Sequence, residues 1–245
     1  MHAPDSIVQP VRNDHSPQLG PLAVMVASEG DIALLRDRIA MPDERKLFMS
    51  RLYYDKQNPR SPAVVGPLMG APYAAALLEL VHAWGAEQVL FLGWCGSIHR
   101  TLVTGDILLP SGALIDEGTS LHYRQCTGGL VQPDPMLHTR VFKTLESDKI
   151  AFESGIVWTT DAVFRESRDK VENFRQKGAR AVEMELSALL SVAAFHHFAT
   201  AGILAVSDEL FTGQWQPGFR NERFKQTRKR LVEVIGGLVQ TNTVP

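Results

Sequence analysis

Apolar residues in this chain come in short runs, and the length and spacing of each run decide what it can form. Leu22–Ala27 is bounded by proline and polar residues and has the length of a fully buried strand. Ile32–Ile39 then carries apolar residues at helical spacing. Ala63–Leu68 predicts a second strand, interrupted by Gly66-Pro67. Pro72 starts a long helix through Trp84, apolar nearly all round, and Gly85 is placed to end it. Gln88–Leu92 predicts a third buried strand that runs into Gly93-Trp94-Cys95-Gly96-Ser97.

The second half continues the alternation. Strands are expected at Asp106–Leu109 and Gly112–Ile115, followed by a polar loop over Asp116–Gly129. Met136–Glu146 is amphipathic helix, Gly155–Thr159 strand and Arg168–Lys177 helix. An extended segment then turns into a helix over Glu185–Phe198, followed by a strand at Ala201–Val206 and a C-terminal helix from about Asn221 to Val239. Strands alternating with helices predict one α/β domain around a mostly parallel or mixed sheet, spanning 21–245. Residues 1–20 are polar and dotted with prolines, and are expected to form a flexible or loosely docked arm.

Composition narrows the function classes. A chain of 245 residues, 44% hydrophobic, can bury a full core. A net charge of −2 gives no global field for nucleic acid or anionic membrane. The basic run Arg220, Arg223, Lys225, Arg228, Lys229 and Arg230 is expected to be the solvated face of the last helix. Two cysteines, Cys95 and Cys126, without CxxC spacing predict a reduced, cytoplasmic protein without structural zinc, and the histidines show no metal spacing. The first twenty residues have no apolar core of a signal peptide. Leu186–Ser207 has no charged residue, yet it breaks at Ala201-Gly202 and carries Ser187, Ser191, His196, His197 and Thr200, so it reads as buried helix plus buried strand.

In α/β sheets ligands collect at the carboxyl ends of strands. Ser28-Glu29-Gly30-Asp31, Gly93–Ser97, Asp116–Tyr123, Thr159–Glu166 and Ser207-Asp208 all fall there. The most informative stretch is Glu183-Met184-Glu185, two acids flanking a methionine where an extended segment becomes a helix. Such acids either cap the helix N-terminus or grip hydroxyls in a site.

Val182-Glu183-Met184-Glu185 with Ser187-Ala188-Leu189 resembles the ribose-binding signature of the nucleoside phosphorylase family, which includes purine and uridine phosphorylases and nucleosidases acting on methylthioadenosine and adenosylhomocysteine. Gly93-x-Cys95-Gly96, Gly105-Asp106-Ile107, Asp116-Glu117-Gly118-Thr119-Ser120 and Val206-Ser207-Asp208 follow in the family's order, from about Leu22 to Val239. The resemblance implies a three-layer α/β/α sandwich with a central mixed sheet that binds a small-molecule nucleoside and breaks its N-glycosidic bond. It also implies a homo-oligomer (dimer, trimer or hexamer), no metal, and no cofactor beyond inorganic phosphate as co-substrate. Under it, Glu185 holds the ribose with Glu183 and Met184 beside it. Asp208 supports protonation of a purine-type base, and Phe164 and Glu166 lie on the base side. Gly93, Trp94, Thr119 and Ser120 stand at the end where phosphate or water enters.

One departure bears on the reaction. Phosphorylases of the family carry an arginine two residues before the first glycine of the Gly93 loop and a Ser or Thr directly after that glycine; here stand Phe91 and Trp94. Phosphate needs donors that neither residue supplies in number. Three readings stay open on the sequence. Phosphorolysis can use a relocated site, with Arg36, Arg45, Arg51 or Arg124 supplying charge within the chain or across a subunit interface. Hydrolysis can use water, with Asp31 in the place of the nucleosidases' water-activating acid. The third is a nucleoside-binding protein without cleavage.

Overall fold

The computed structural model describes residues 6–123 and 129–241. In chain order the elements are β1 (Leu22–Val26), α1 (Glu29–Arg36), β2 (Asp43–Leu47), β3 (Ser50–Tyr54), β4 (Ala63–Gly66), α2 (Ala71–Ala83), β5 (Gln88–Ser97), β6 (Ile107–Asp116), β7 (Leu130–Val131), α3 (Pro135–Ser147), β8 (Glu153–Thr160), α4 (Arg168–Gln176), β9 (Ala179–Glu183), α5 (Leu186–His196), β10 (Ala199–Glu209), β11 (Gln216–Pro217) and α6 (Glu222–Thr241). The described strands form one mixed sheet in the order β11-β10-β6-β8-β9-β5-β1-β4-β3-β2, with β7 on β6. Because β10 pairs with both β6 and β5, the strands β10, β6, β8, β9 and β5 close into a ring, from which β1 to β4 extend as an open wing.

Helices cover both faces, as the amphipathic pattern requires. One buried cluster joins α2 and α5 to the sheet through Leu77, Leu78, Val81, Leu186, Leu189 and Leu190, with Phe91 and Leu204 from the strands. The opposite cluster sets Ile32 and Leu35 of α1, Val141 of α3 and Leu231 and Ile235 of α6 against Leu90, Leu92 and Ile203. A third holds Phe174 of α4 against Trp158 of β8, the rings 4.4 Å apart and stacked.

The sheet differs from the sequence reading in several strands. β5 runs on to Ser97 instead of ending at Leu92, because β10 pairs with it along that length and crosses a bulge between Val206 and Asp208. The two strands expected around Pro110 are one, β6, with the register shift between Pro110 and Gly112 taking up the missing proline N–H. The hairpin of β2 and β3 was not foreseen, since the charged alternation in Asp43–Leu47 suits a solvent-facing edge strand. The N-terminal arm touches the body: Leu19 is buried, its N–H donates to Trp84 O at 2.8 Å, and Trp84 Nε1 donates to Val11 O at 2.8 Å. No helix among the described residues is long and apolar enough to cross a membrane.

Candidate active site

The carboxyl-terminal parts of β5, β9 and β10 meet the segments that follow β1, β4 and β8 around a cavity of about 520 Å³. Trp94, Cys95 and Gly96 come from β5, Phe164 and Glu166 from the loop after β8, and Glu183, Met184 and Glu185 from the end of β9. Ser207 and Asp208 come from β10, and Ser28, Met69, Trp215 and Phe219 complete the wall. Seven of the residues singled out from sequence thus share one cavity: Trp94, Phe164, Glu166, Glu183, Met184, Glu185 and Asp208.

The two acids of the signature divide the roles that the sequence left undecided. Glu183 caps the helix: its Oε2 accepts the N–H of Glu185 at 2.8 Å and of Leu186 at 2.7 Å, and its Oε1 accepts the Thr159 hydroxyl. Thr159 in turn accepts the Ser187 N–H at 3.0 Å, and Ser187 Oγ donates to Glu117 Oε1 at 2.9 Å. Glu185 lines the same cavity without capping the helix, one oxygen taking the Gly70 N–H at 2.6 Å. Both acids are buried, and desolvation pushes both carboxyls above the usual range; Glu185 adds to the rise at Glu183.

A second acidic pair lies across the cavity. Asp208 Oδ1 accepts the Ser207 hydroxyl at 2.6 Å and its Oδ2 the Trp215 indole N–H at 2.8 Å. Gly96 lets this carboxylate come close, since a Cβ there would stand 3.0 Å from Asp208 Oδ2. Glu166 is half-buried, and burial, with a contribution from Asp208, pushes it up to about 7. A group titrating there can hold or release a proton at neutral pH. Phe164 stands at the mouth almost fully exposed, where a flat ligand can stack on it.

Other expected residues lie outside this wall. Asp31 is 1% exposed and sits behind Trp94: its Oδ2 accepts the Trp94 indole N–H at 2.7 Å and its Oδ1 accepts Arg228 Nε at 2.7 Å. Its carboxyl is raised by burial against the opposing pull of Arg228 and Trp94. It therefore supports the wall and does not face the cavity. Gly93 is covered by Phe91, whose ring carbons would stand 2.6 Å from a Cβ at that position. Thr119 and Ser120 turn inward and give their backbone N–H groups to Glu117, at 2.6 and 3.0 Å. Their loop packs on α5 beside Ser187, outside the cavity lining.

Within the chain, three of the four arginines named for a relocated anion site have other partners. Arg36 lies over the Tyr53 ring at 4.4 Å, Arg45 donates to His15 O and Arg51 pairs with Glu44. Arg124, like Cys126, lies outside the described residues. Among the described residues no lysine or arginine lines the cavity, while four carboxyl groups do. The sequence reading also missed Arg228: it was counted in a solvated face, but its side chain is 18% exposed and turned onto Asp31. A lone aspartate in the first turn of α1 gave no sign of a partner 197 residues away.

Comparison with known proteins identifies the family and the fold. The sequence model of the phosphorylase superfamily matches residues 21–241. A DeoD-type purine nucleoside phosphorylase from Clostridium novyi is 25% identical over 182 residues, 74% of this chain and 76% of that protein. A guanosine phosphorylase from Halorubrum lacusprofundi is 26% identical over 165 residues, 67% of this chain and 68% of the relative. Among solved structures, a futalosine hydrolase mutant of Helicobacter pylori superposes with a TM-score of 0.73 at 16% identity, covering 91% of this chain and 100% of its own. Purine nucleoside phosphorylase from Toxoplasma gondii, in complex with immucillin-H, superposes at 0.74 and 20% identity, covering 91% and 93%. At these identities the structural likeness speaks to the fold.

Proposed function

The chain belongs to the phosphorylase superfamily, a family of glycosyl-transfer enzymes, and from that premise we propose that it hydrolyses the N-glycosidic bond of a purine-type nucleoside. The observation that carries the choice of water is the wall of the cavity. It offers four carboxyl groups and, among the described residues, no cation. A phosphate dianion entering such a wall loses its hydration and finds no cation to replace it, whereas a water molecule carries no such penalty.

In this reading Glu185 accepts hydrogen bonds from neighbouring sugar hydroxyls, and its charge favours the cation that develops on the sugar. Met184 packs on the ring as a flexible apolar wall. Phe164 stacks on the base. Glu166 supplies the proton that the departing base needs, so that the electrons of the broken C–N bond leave on a neutral base, and the Asp208 carboxylate beside it accepts from the base and orients it. Water forms the new C–O bond and gives up its proton to the carboxylate at the sugar end. Glu183 holds the start of α5, and with it Glu185, in place.

The test is incubation with a panel of purine nucleosides, with and without phosphate, followed by assay of free base, ribose and ribose 1-phosphate. Free base and ribose without phosphate are expected. Ribose 1-phosphate formed only with phosphate would establish the second reading, phosphorolysis, which the names of the curated relatives favour. Binding without any cleavage would overturn both.

A further inference from the structure

Trp94 is held from three sides. Its indole N–H is fixed on Asp31 at 2.7 Å, the Arg228 guanidinium carbon lies 4.8 Å over its ring, and Phe224 meets it edge-on at 5.1 Å. Arg228 and Asp31 are themselves joined at 2.7 Å in a nearly closed environment. Gly30 makes room for this, since a Cβ there would come within 2.6 Å of Arg228 Nη2. The ring thus stands between the cavity and a buried cation that is paired with Asp31 through its Nε.

This arrangement has a consequence for the acceptor. The face of an indole is the negative side of its quadrupole and repels an anion, while its one N–H points away to Asp31. We propose that Trp94 is the residue that restricts the acceptor to water. Its ring takes up the cavity wall at the β5 end and offers no donor there, and the Asp31–Arg228 pair keeps it in place. The proposal rests on the hydrolytic reading above and names its cause. In the native protein the water oxygen bonds to the anomeric carbon as the base departs with the C–N electrons. With the ring removed, a phosphate oxygen can form that bond instead, giving ribose 1-phosphate, with Arg228 exposed to bind it. No oxidant or reductant is involved in either case.

The experiment uses the full chain, a nucleoside that it cleaves, and inorganic phosphate. The native protein is expected to release ribose alone, with its KM for the nucleoside unmoved by phosphate. Trp94→Ser is expected to form ribose 1-phosphate and to gain about tenfold in rate with phosphate. Trp94→Ser/Arg228→Met is expected to lose that gain. Phosphate is expected to raise the melting temperature of the single variant and not of the double. Phosphate competing with the nucleoside in the native protein would overturn the proposal, and this arm needs no variant to fold. So would a folded Trp94→Ser, or Trp94→Val in its place, that still releases ribose alone. The last outcome leaves the hydrolytic reading standing, whereas ribose 1-phosphate from the native protein overturns both.

Discussion

The Glu183 carboxylate accepts the backbone N–H of Glu185 at 2.8 Å, so one acid of the signature holds the other in position. Glu183 satisfies two amides at the start of α5 and a buried hydroxyl, while Glu185 spends one oxygen on Gly70 and lines the cavity. Substitutions should therefore separate the two. Glu183→Ala leaves two buried N–H groups unpaired and should cost about 3 kcal/mol of stability. Glu185→Ala should cost about 1 kcal/mol, but lower kcat/KM by about a hundredfold or more. Calorimetry and steady-state kinetics on both variants check this; equal losses of stability would show that both acids are mere caps.

The same pair makes stability depend on pH. Burial raises both carboxyls above the ordinary value of 4.5, so the folded chain holds protons that the unfolded chain has released. The folded state binds more protons in that window, and its stability falls as pH rises. The contribution is complete below about pH 4.5 and is lost as the pH passes through the raised values, towards neutrality and above. Glu183→Gln removes that titration. The native-minus-variant difference in melting temperature should therefore shrink as the pH rises from 5 to 8, and a difference that grows would overturn the assignment.

Much of this site was legible in the chain because its residues are local: Glu183, Met184 and Glu185 are consecutive, and Asp208 ends an apolar run that could only be a strand. The helices α2, α3 and α4 fall within a residue or two of their apolar periodicity for the same reason. What local pattern could not supply was pairing. The charged Asp43–Leu47 becomes a strand only by lying beside Ser50–Tyr54, and β5 reaches Ser97 only because β10 runs along it. Arg228 and Asp31 find each other through the docking of α6 on α1, which no periodicity records. Thr119 and Ser120 lay in a motif of the right order but turn their amides to Glu117.

Glu166 sets a second pH dependence, this time of activity. It is pushed up to about 7 by burial and, in part, by the Asp208 carboxylate that shares its cavity. If the protonated acid assists the departing base, kcat/KM should fall on the alkaline side with a midpoint near that value. Glu166→Gln should remove this limb and lower the plateau by about tenfold. Asp208→Asn should cost more, about a hundredfold, because it removes the group that the Ser207 hydroxyl and the Trp215 indole hold in place. An unchanged pH profile in Glu166→Gln would remove that residue from the mechanism.

Phe91 stands where phosphorylases of the family carry an arginine, yet restoring that arginine should not restore phosphate chemistry. The Phe91 side chain is fully buried, in the cluster that joins α2 and α5 to the sheet. Its ring covers Gly93, where even a Cβ would approach two ring carbons to 2.6 Å. An arginine there would bury a charge without a partner and lose the packing of the ring, each worth about 3 kcal/mol or more. Phe91→Arg should therefore accumulate poorly and melt far below the native protein, with no ribose 1-phosphate in the presence of phosphate. Phe91→Leu, which keeps the site apolar, should cost about 1.5 kcal/mol and leave the product unchanged. A stable Phe91→Arg that forms ribose 1-phosphate would show that this side chain reaches the acceptor, and that the native phenylalanine, rather than Trp94, keeps phosphate out.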